Sequence, residues 1–184
     1  MENGGMQTAE AADLRYPVGR YRPPESITEE HRREWIETLA KAPAKYRAAV
    51  EGLTAEQLDT PYRPGGWTIR QVIHHVPDSH MNSYIRFRLA LTEDEPTIKP
   101  YHESLWAELA DAKSLPVEPS LELLGALHQR WVALLRAMTP EQFQRKFRHP
   151  EIGLNNLEWT LGIYAWHCDH HLAHIENLKA RMGW

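Results

Sequence analysis

Trp166-His167-Cys168-Asp169-His170-His171-Leu172-Ala173-His174 lies inside an unbroken helical pattern that starts at Asn155 with Glu158 and ends near Met182-Gly183. Four of the chain's eleven histidines fall in these nine residues. On a helix, residues four apart stack one turn above the other on the same face, which pairs His167 with His171. Two imidazoles so placed can hold one metal ion but leave the site incomplete. A third ligand has to come from another part of the chain.

At about 100° per residue, Leu157, Leu161, Tyr164, Cys168, Ile175 and Met182 point in one direction. His171 falls about 40° from that direction and His167 about 80°. His174 falls about 100° away and His170 about 140°, so this second pair is expected to face further toward solvent. Asp169 is expected to project away from the His167/His171 pair. Cys168 falls in the apolar stripe and reads as a small buried hydrophobe.

Further toward the N-terminus, three more helical patterns appear. Residues 1–12 are small and polar, with Gly4-Gly5, and read as a disordered extension. Pro17, Pro23 and Pro24 make an extended arm that Tyr16 and Tyr21 should fasten to the body. Ser26-Ile27-Thr28-Glu29 has capping-box spacing and opens the first helix, in which Pro43 should cause a kink or break. Thr68 can cap the second helix, running to about Leu91 with a bend at Pro77. Residues 92–120 form a long connection with four prolines and a short helix over 105–109. Ser120 opens the third long helix, to about Met138. Residues 147–153 are irregular, with at most a short strand near Phe147. Four long helices indicate an all-α four-helix bundle, and the length of the second connection allows helices two and three to run parallel. The unit spans residues 13–184.

Composition narrows the function classes. A net charge of −4 and a pI near 6.3 argue against nucleic-acid binding. No apolar run reaches the ~18 residues of a membrane span. The first residues lack the basic and apolar regions of a signal peptide, and one cysteine excludes an intrachain disulfide framework. A cytoplasmic protein is expected.

For the third ligand, helix two offers His74, His75 and His80. His80 lies in the middle of the apolar stripe formed by Ile69, Val72, Ile73, Val76, Tyr84, Phe87 and Leu91. His75 lies about 120° from Ile69, in a polar stripe with Ser79, Asn82 and Arg86. Such a stripe suits a cavity wall, and equally a solvated face, so periodicity leaves His75 and His80 both open.

Gly65-Gly66-Trp67-Thr68, with His74-His75-Val76-Pro77-Asp78-Ser79-His80-Met81-Asn82-Ser83-Tyr84-Ile85-Arg86, resembles the YfiT-like metal-dependent hydrolases of the DinB-like superfamily. The 166–174 stretch, the ending Arg181-Met182-Gly183-Trp184 and the arm Tyr16-Pro17-Val18-Gly19 with Tyr21 match the same group. The resemblance covers residues 13–184. It implies an up-down-down-up bundle with a long crossover between helices two and three. It also implies one divalent metal per chain, zinc or nickel, held by one histidine of helix two and a His-x-x-x-His pair of the last helix. His75, followed by the aliphatic Val76, matches the first position, and His167 with His171 matches the pair. On that ground the ligands are His75, His167 and His171, with Pro77 a departure from the more helix-friendly residue expected there. A homodimer is implied as well.

Three neutral imidazoles leave a zinc-like ion an open position, where water ionises near neutrality. That suits hydrolysis of a small-molecule substrate. The same position could ionise a thiol, which suits transfer of a low-molecular-weight thiol to an electrophile, as superfamily relatives do. A third class, a non-enzymatic metal-binding protein, predicts a saturated site. No glutamate adjoins the histidine pair as a His-Glu-x-x-His motif would require, so no general base is evident. Asn82 and Arg86 are the candidate substrate contacts, Arg86 for an anionic group.

Overall fold

The computed structural model describes residues 13–184, and the disorder expected for residues 1–12 lies outside that range. The elements in order are α1 (Glu29–Val50), α2 (Ala55–Leu58), α3 (Ile69–Thr92), α4 (Glu103–Trp106) and α5 (Ala110–Ser114). They are followed by α6 (Glu118–Ala137), α7 (Pro140–Phe143), β1 (Lys146–His149), β2 (Gly153–Asn156) and α8 (Leu157–Met182). The helices α1, α3, α6 and α8 make the bundle.

Side-chain pairs give the helix directions. Arg32 and Glu158 form an ion pair at the starts of α1 and α8, and Lys179 donates to the Ala49 carbonyl at their ends (2.7 Å), so these two run parallel. Arg136, late in α6, meets Glu37, early in α1 (2.5 Å), so this pair is antiparallel. His74 meets Ser120 and His80 meets His128, which makes α3 and α6 parallel. His75 and Ser79 face His167 and Tyr164 respectively, which makes α3 and α8 antiparallel. The result is the expected up-down-down-up arrangement. Trp131 of α6 is fully enclosed at the centre, against Phe87, Tyr84, Tyr164 and two histidines.

Several boundaries differ from those read in the sequence. Thr28, rather than Ser26, caps α1, because the ring of His31 at N3 accepts from the Thr28 amide and completes the box. The third long helix starts at Glu118, since Pro119 has a backbone preset for a first turn where no N–H is needed. Ser120 is thereby freed to bond His74 Nδ1 (2.7 Å). Asn156 caps α8, and Asn155 pairs with Phe147 in the β1–β2 hairpin that replaces the irregular stretch. In the crossover, the helix expected over 105–109 is displaced to α4 and α5.

α1 runs unbroken through Pro43. A proline cannot donate to the carbonyl four residues back, here Leu39, and an interior proline costs ~3 kcal/mol or more. That carbonyl has another donor, His128 Nδ1 of α6 (2.6 Å). α3 likewise runs unbroken through Pro77.

The N-terminal arm docks as expected. Tyr21 lies against Trp159 and Trp166 and over Gly162, where an added Cβ would sit 2.2 Å from the Tyr21 hydroxyl and 2.9 Å from Trp35. The crossover is tied to the start of α3: Arg70 donates to the Leu115 carbonyl (3.0 Å) and Gln71 to that of Ala107 (2.8 Å). Glu103 lies on this crossover, at the start of α4.

Candidate metal centre

Thr68 caps α3 through a reciprocal box with Gln71, which fixes the phase of the helix carrying His75. The loop before it, residues 61–67, is held by Tyr62 N–H to the Trp67 carbonyl (3.0 Å), and Arg181 of α8 donates to the Tyr62 carbonyl (2.6 Å). Gly65 has φ +68°, a left-handed turn position that favours glycine. At Gly66 a Cβ would sit 2.7 Å from the Arg63 side chain. The loop so folded brings the Trp67 ring to 4.7 Å from that of His75.

The structure brings His75, His167 and His171 together. Their nearest ring nitrogens all lie within 4.8 Å of one another, and His75 Nε2 is 3.3 Å from His167 Nε2. Two nitrogens bound ~2.0–2.1 Å from a tetrahedral ion lie about 3.4 Å apart, so the His75–His167 spacing suits a shared metal. Nδ1 of His171 is buried with no hydrogen-bond partner among the described residues, a cost that native interiors seldom leave uncompensated. Burial holds the His167 and His171 rings well below the ordinary imidazole range, and their neighbouring histidines add to the effect. His75 is pushed down to about 4, by burial first. All three are therefore neutral, the form in which imidazole ligates a metal.

The three rings form the floor of a cavity of about 470 Å³. Tyr62, Arg63, Trp67, Trp166 and Glu103 line its walls. Glu103 is the single carboxylate lining it among the described residues, and sequence reading missed it. Its signal was absent from the chain, because it reaches the site from the crossover, 28 positions from His75 in sequence.

Other residues fall differently. His80 is fully enclosed behind His167, with Nε2 3.1 Å from His167 Nδ1. His170 and His174 do not face solvent as their helical angle suggested. They are 8% and 3% exposed, because the arm and the 61–67 loop lie over them. Tyr62 stacks on His174 at 3.9 Å, Trp166 on His170 at 4.4 Å, and Tyr16 lies 6.0 Å from His170. With His171 they make a second group of convergent nitrogens. Neither Asn82 nor Arg86 lines the cavity, and the Asn82 amide donates to the Asp78 carbonyl of its own helix (2.9 Å). Cys168 is buried, and burial pushes its thiol far up. Asp169 is half-exposed and lies 3.9 Å from Lys45, away from the cluster.

Fold and site together describe a four-helix-bundle protein in which the nitrogens of three buried histidines converge beneath one cavity. The family model of the DinB superfamily matches residues 38–175. YfiT of Bacillus subtilis (strain 168) is 55% identical over 175 residues, 95% of this chain and 98% of that one. A relative from Bacillus mycoides (strain KBAB4), carrying the same metal-dependent hydrolase designation, is 54% identical over 94% of this chain and 99% of its own. The solved structure of YfiT, described as a probable metal-dependent hydrolase with an unusual four-helix bundle topology, superposes with a TM-score of 0.90 at 56% identity. It covers 93% of this chain and 98% of that one. The four-helix bundle protein TT2238, at 21% identity and a TM-score of 0.54, shares the fold. The chain belongs to the DinB superfamily, and within it its sequence groups with YfiT.

Proposed function

We propose that this chain is a metal-dependent hydrolase of a small-molecule substrate, built as one helical-bundle domain over residues 13–184. The carrying observation is the convergence of three neutral imidazoles on the floor of an open cavity. His75, His167 and His171 would hold one divalent ion, zinc or nickel. When bound, such an ion supplies Lewis acidity at an open position, where water ionises near neutrality or a carbonyl is polarised.

The chain's own residues supply the rest. Trp67 and Trp166 give the cavity flat apolar walls that orient a substrate and exclude water from its face. Arg63 is the cationic wall residue, positioned for an anionic group on the substrate. Glu103, as the carboxylate on the wall, accepts the proton released in hydrolysis. It answers the lack of a glutamate beside the His167/His171 pair. Asn82 and Arg86, further along α3, would be reached only by a substrate extending beyond the cavity. No helix among the described residues is long and apolar enough to cross a membrane, and the single cysteine agrees with a cytoplasmic setting. The homodimer expected for relatives of this kind is tested by light scattering.

The test of the reaction uses protein loaded with zinc or nickel and a panel of esters, amides and alkyl electrophiles, with and without a low-molecular-weight thiol. Product without thiol is the expected result. Turnover only when thiol is present would replace hydrolysis by thiol transfer. A metal complex inert to added small thiols and hydroxamates would point to a saturated, non-enzymatic site.

A further inference from the structure

Behind the three-histidine cluster runs a chain of buried hydrogen bonds that ends on main chain. Leu39 has no helical donor to its carbonyl because position 43 is proline. His128 Nδ1 lies 2.6 Å from that oxygen. His128 Nε2 lies 2.8 Å from His80 Nδ1, and His80 Nε2 lies 3.1 Å from His167 Nδ1. His80 and His128 are 0% and 1% exposed, stacked on one another at 4.8 Å. Trp131 and Tyr164 pack edge-on against His80.

The direction of this chain follows from its end. A carbonyl only accepts, so His128 Nδ1 must carry the proton. A neutral imidazole has one N–H, so His128 Nε2 is an acceptor and His80 Nδ1 must be the donor. By the same step His80 Nε2 accepts, and His167 Nδ1 donates to it. Among the described residues no carboxylate bonds either ring, and burial pushes His128 down to about 4. The opposite polarity would require a donor where Leu39 offers an oxygen.

We propose that His80 and His128 are positioning residues that carry the polarity of the Leu39 carbonyl to His167, fixing it as the Nδ1–H tautomer with a bare Nε2 turned to the cluster. This rests on the reading of His167 as a metal ligand. It assigns a reason for the proline inside α1: the helical bond given up at Leu39 leaves the acceptor that sets the sequence of tautomers. It also accounts for two imidazoles in a core where apolar residues would pack as well. The same polarity leaves His167 Nε2 without a proton 3.3 Å from His75 Nε2, a place that attracts a cation.

Two readouts test it. In metal-free, 15N-histidine-labelled protein near neutral pH, long-range 1H–15N correlation should show His128, His80 and His167 all as Nδ1–H tautomers, the minor form of free histidine. Finding His167 as Nε2–H would overturn the proposal. For H80L, zinc affinity measured by chelator competition should fall about 10- to 100-fold, the usual cost of losing a partner behind a ligand. H80Q, whose amide oxygen can take the His167 proton, should recover most of that loss. Wild-type affinity in H80L, or no rescue by H80Q, would also overturn it. Should H80L fail to fold by circular dichroism, H128L, one ring further from the site, must show the same direction of change in both readouts. A wild-type chain that binds no zinc or nickel would sink the metal reading, while the tautomer measurement would still decide the relay.

Discussion

Two sets of histidines meet at His167 and differ in where their nitrogens go. On the cavity side, His75, His167 and His171 turn nitrogens toward each other, and no carbonyl or carboxylate among the described residues takes them up. On the inner side, His80 and His128 are saturated: each nitrogen has a partner, and the last is a main-chain carbonyl. Buried polar groups are normally paired, so the inner set is an ordinary, if unusually long, solution to burial. In the outer set the Nε2 atoms of His75 and His167 meet only each other, and His171 Nδ1 has no partner among the described residues. Counting histidines near one another would not separate these roles, whereas following each nitrogen does.

The largest expected effect breaks the comparison outright. His75→Ala, His167→Ala or His171→Ala should each abolish tight binding of zinc or nickel, read by metal analysis after gel filtration. If His80→Ala lost the metal while His75→Ala kept it, the two sets would have to exchange roles. Next comes Glu103→Gln, which should leave metal content intact and lower kcat by about 10²-fold, as loss of a positioned general base does. Unchanged turnover would remove Glu103 from the proposed reaction.

A third measurement concerns the inner set. Burial pushes His128 down to about 4 in the fold, against 6.5 for an exposed imidazole. Between those values the unfolded chain takes up the proton and the folded one does not, so acid favours unfolding. Metal-free stability, from urea midpoints, should therefore be full above pH ~6.5 and fall toward pH ~4, with His128 contributing about 3 kcal/mol. H128L should remove only His128's share of that dependence, because burial also pushes His174 down to about 3 and holds His80, His167 and His171 well below the ordinary range. His75 and His170, also pushed down to about 4, act in the same direction. The smallest effect belongs to His170→Ala. His170 bonds His174 and stacks on Trp166 beside the cluster, so metal affinity should stay close to wild type. A large loss would enlarge the outer set to the second convergent group.

Much of this was legible in the chain. Apolar residues at helical spacing located all four long helices, and their caps fall within a few residues of the expected positions, because capping and periodicity are local. The His167/His171 pair was legible for the same reason. His75 over His80 was not, since both lie on one helix and its phase against α8 depends on packing. The covering of His170 and His174 was equally hidden: an angle on one helix does not reveal that Tyr62 and the arm fold over it. Glu103 and the Leu39–His128 contact join positions far apart in sequence.

The sequence by itself thus determined the helices, the spacing of the His-x-x-x-His pair and the resemblance that pointed to His75. Only the tertiary structure decided which nitrogens converge and which are spoken for. Backbone preferences and hydrophobic periodicity act over a few residues. A hydrogen bond from His128 to Leu39, or a carboxylate brought in from the crossover, exists only once separate helices have packed to within ångströms of each other.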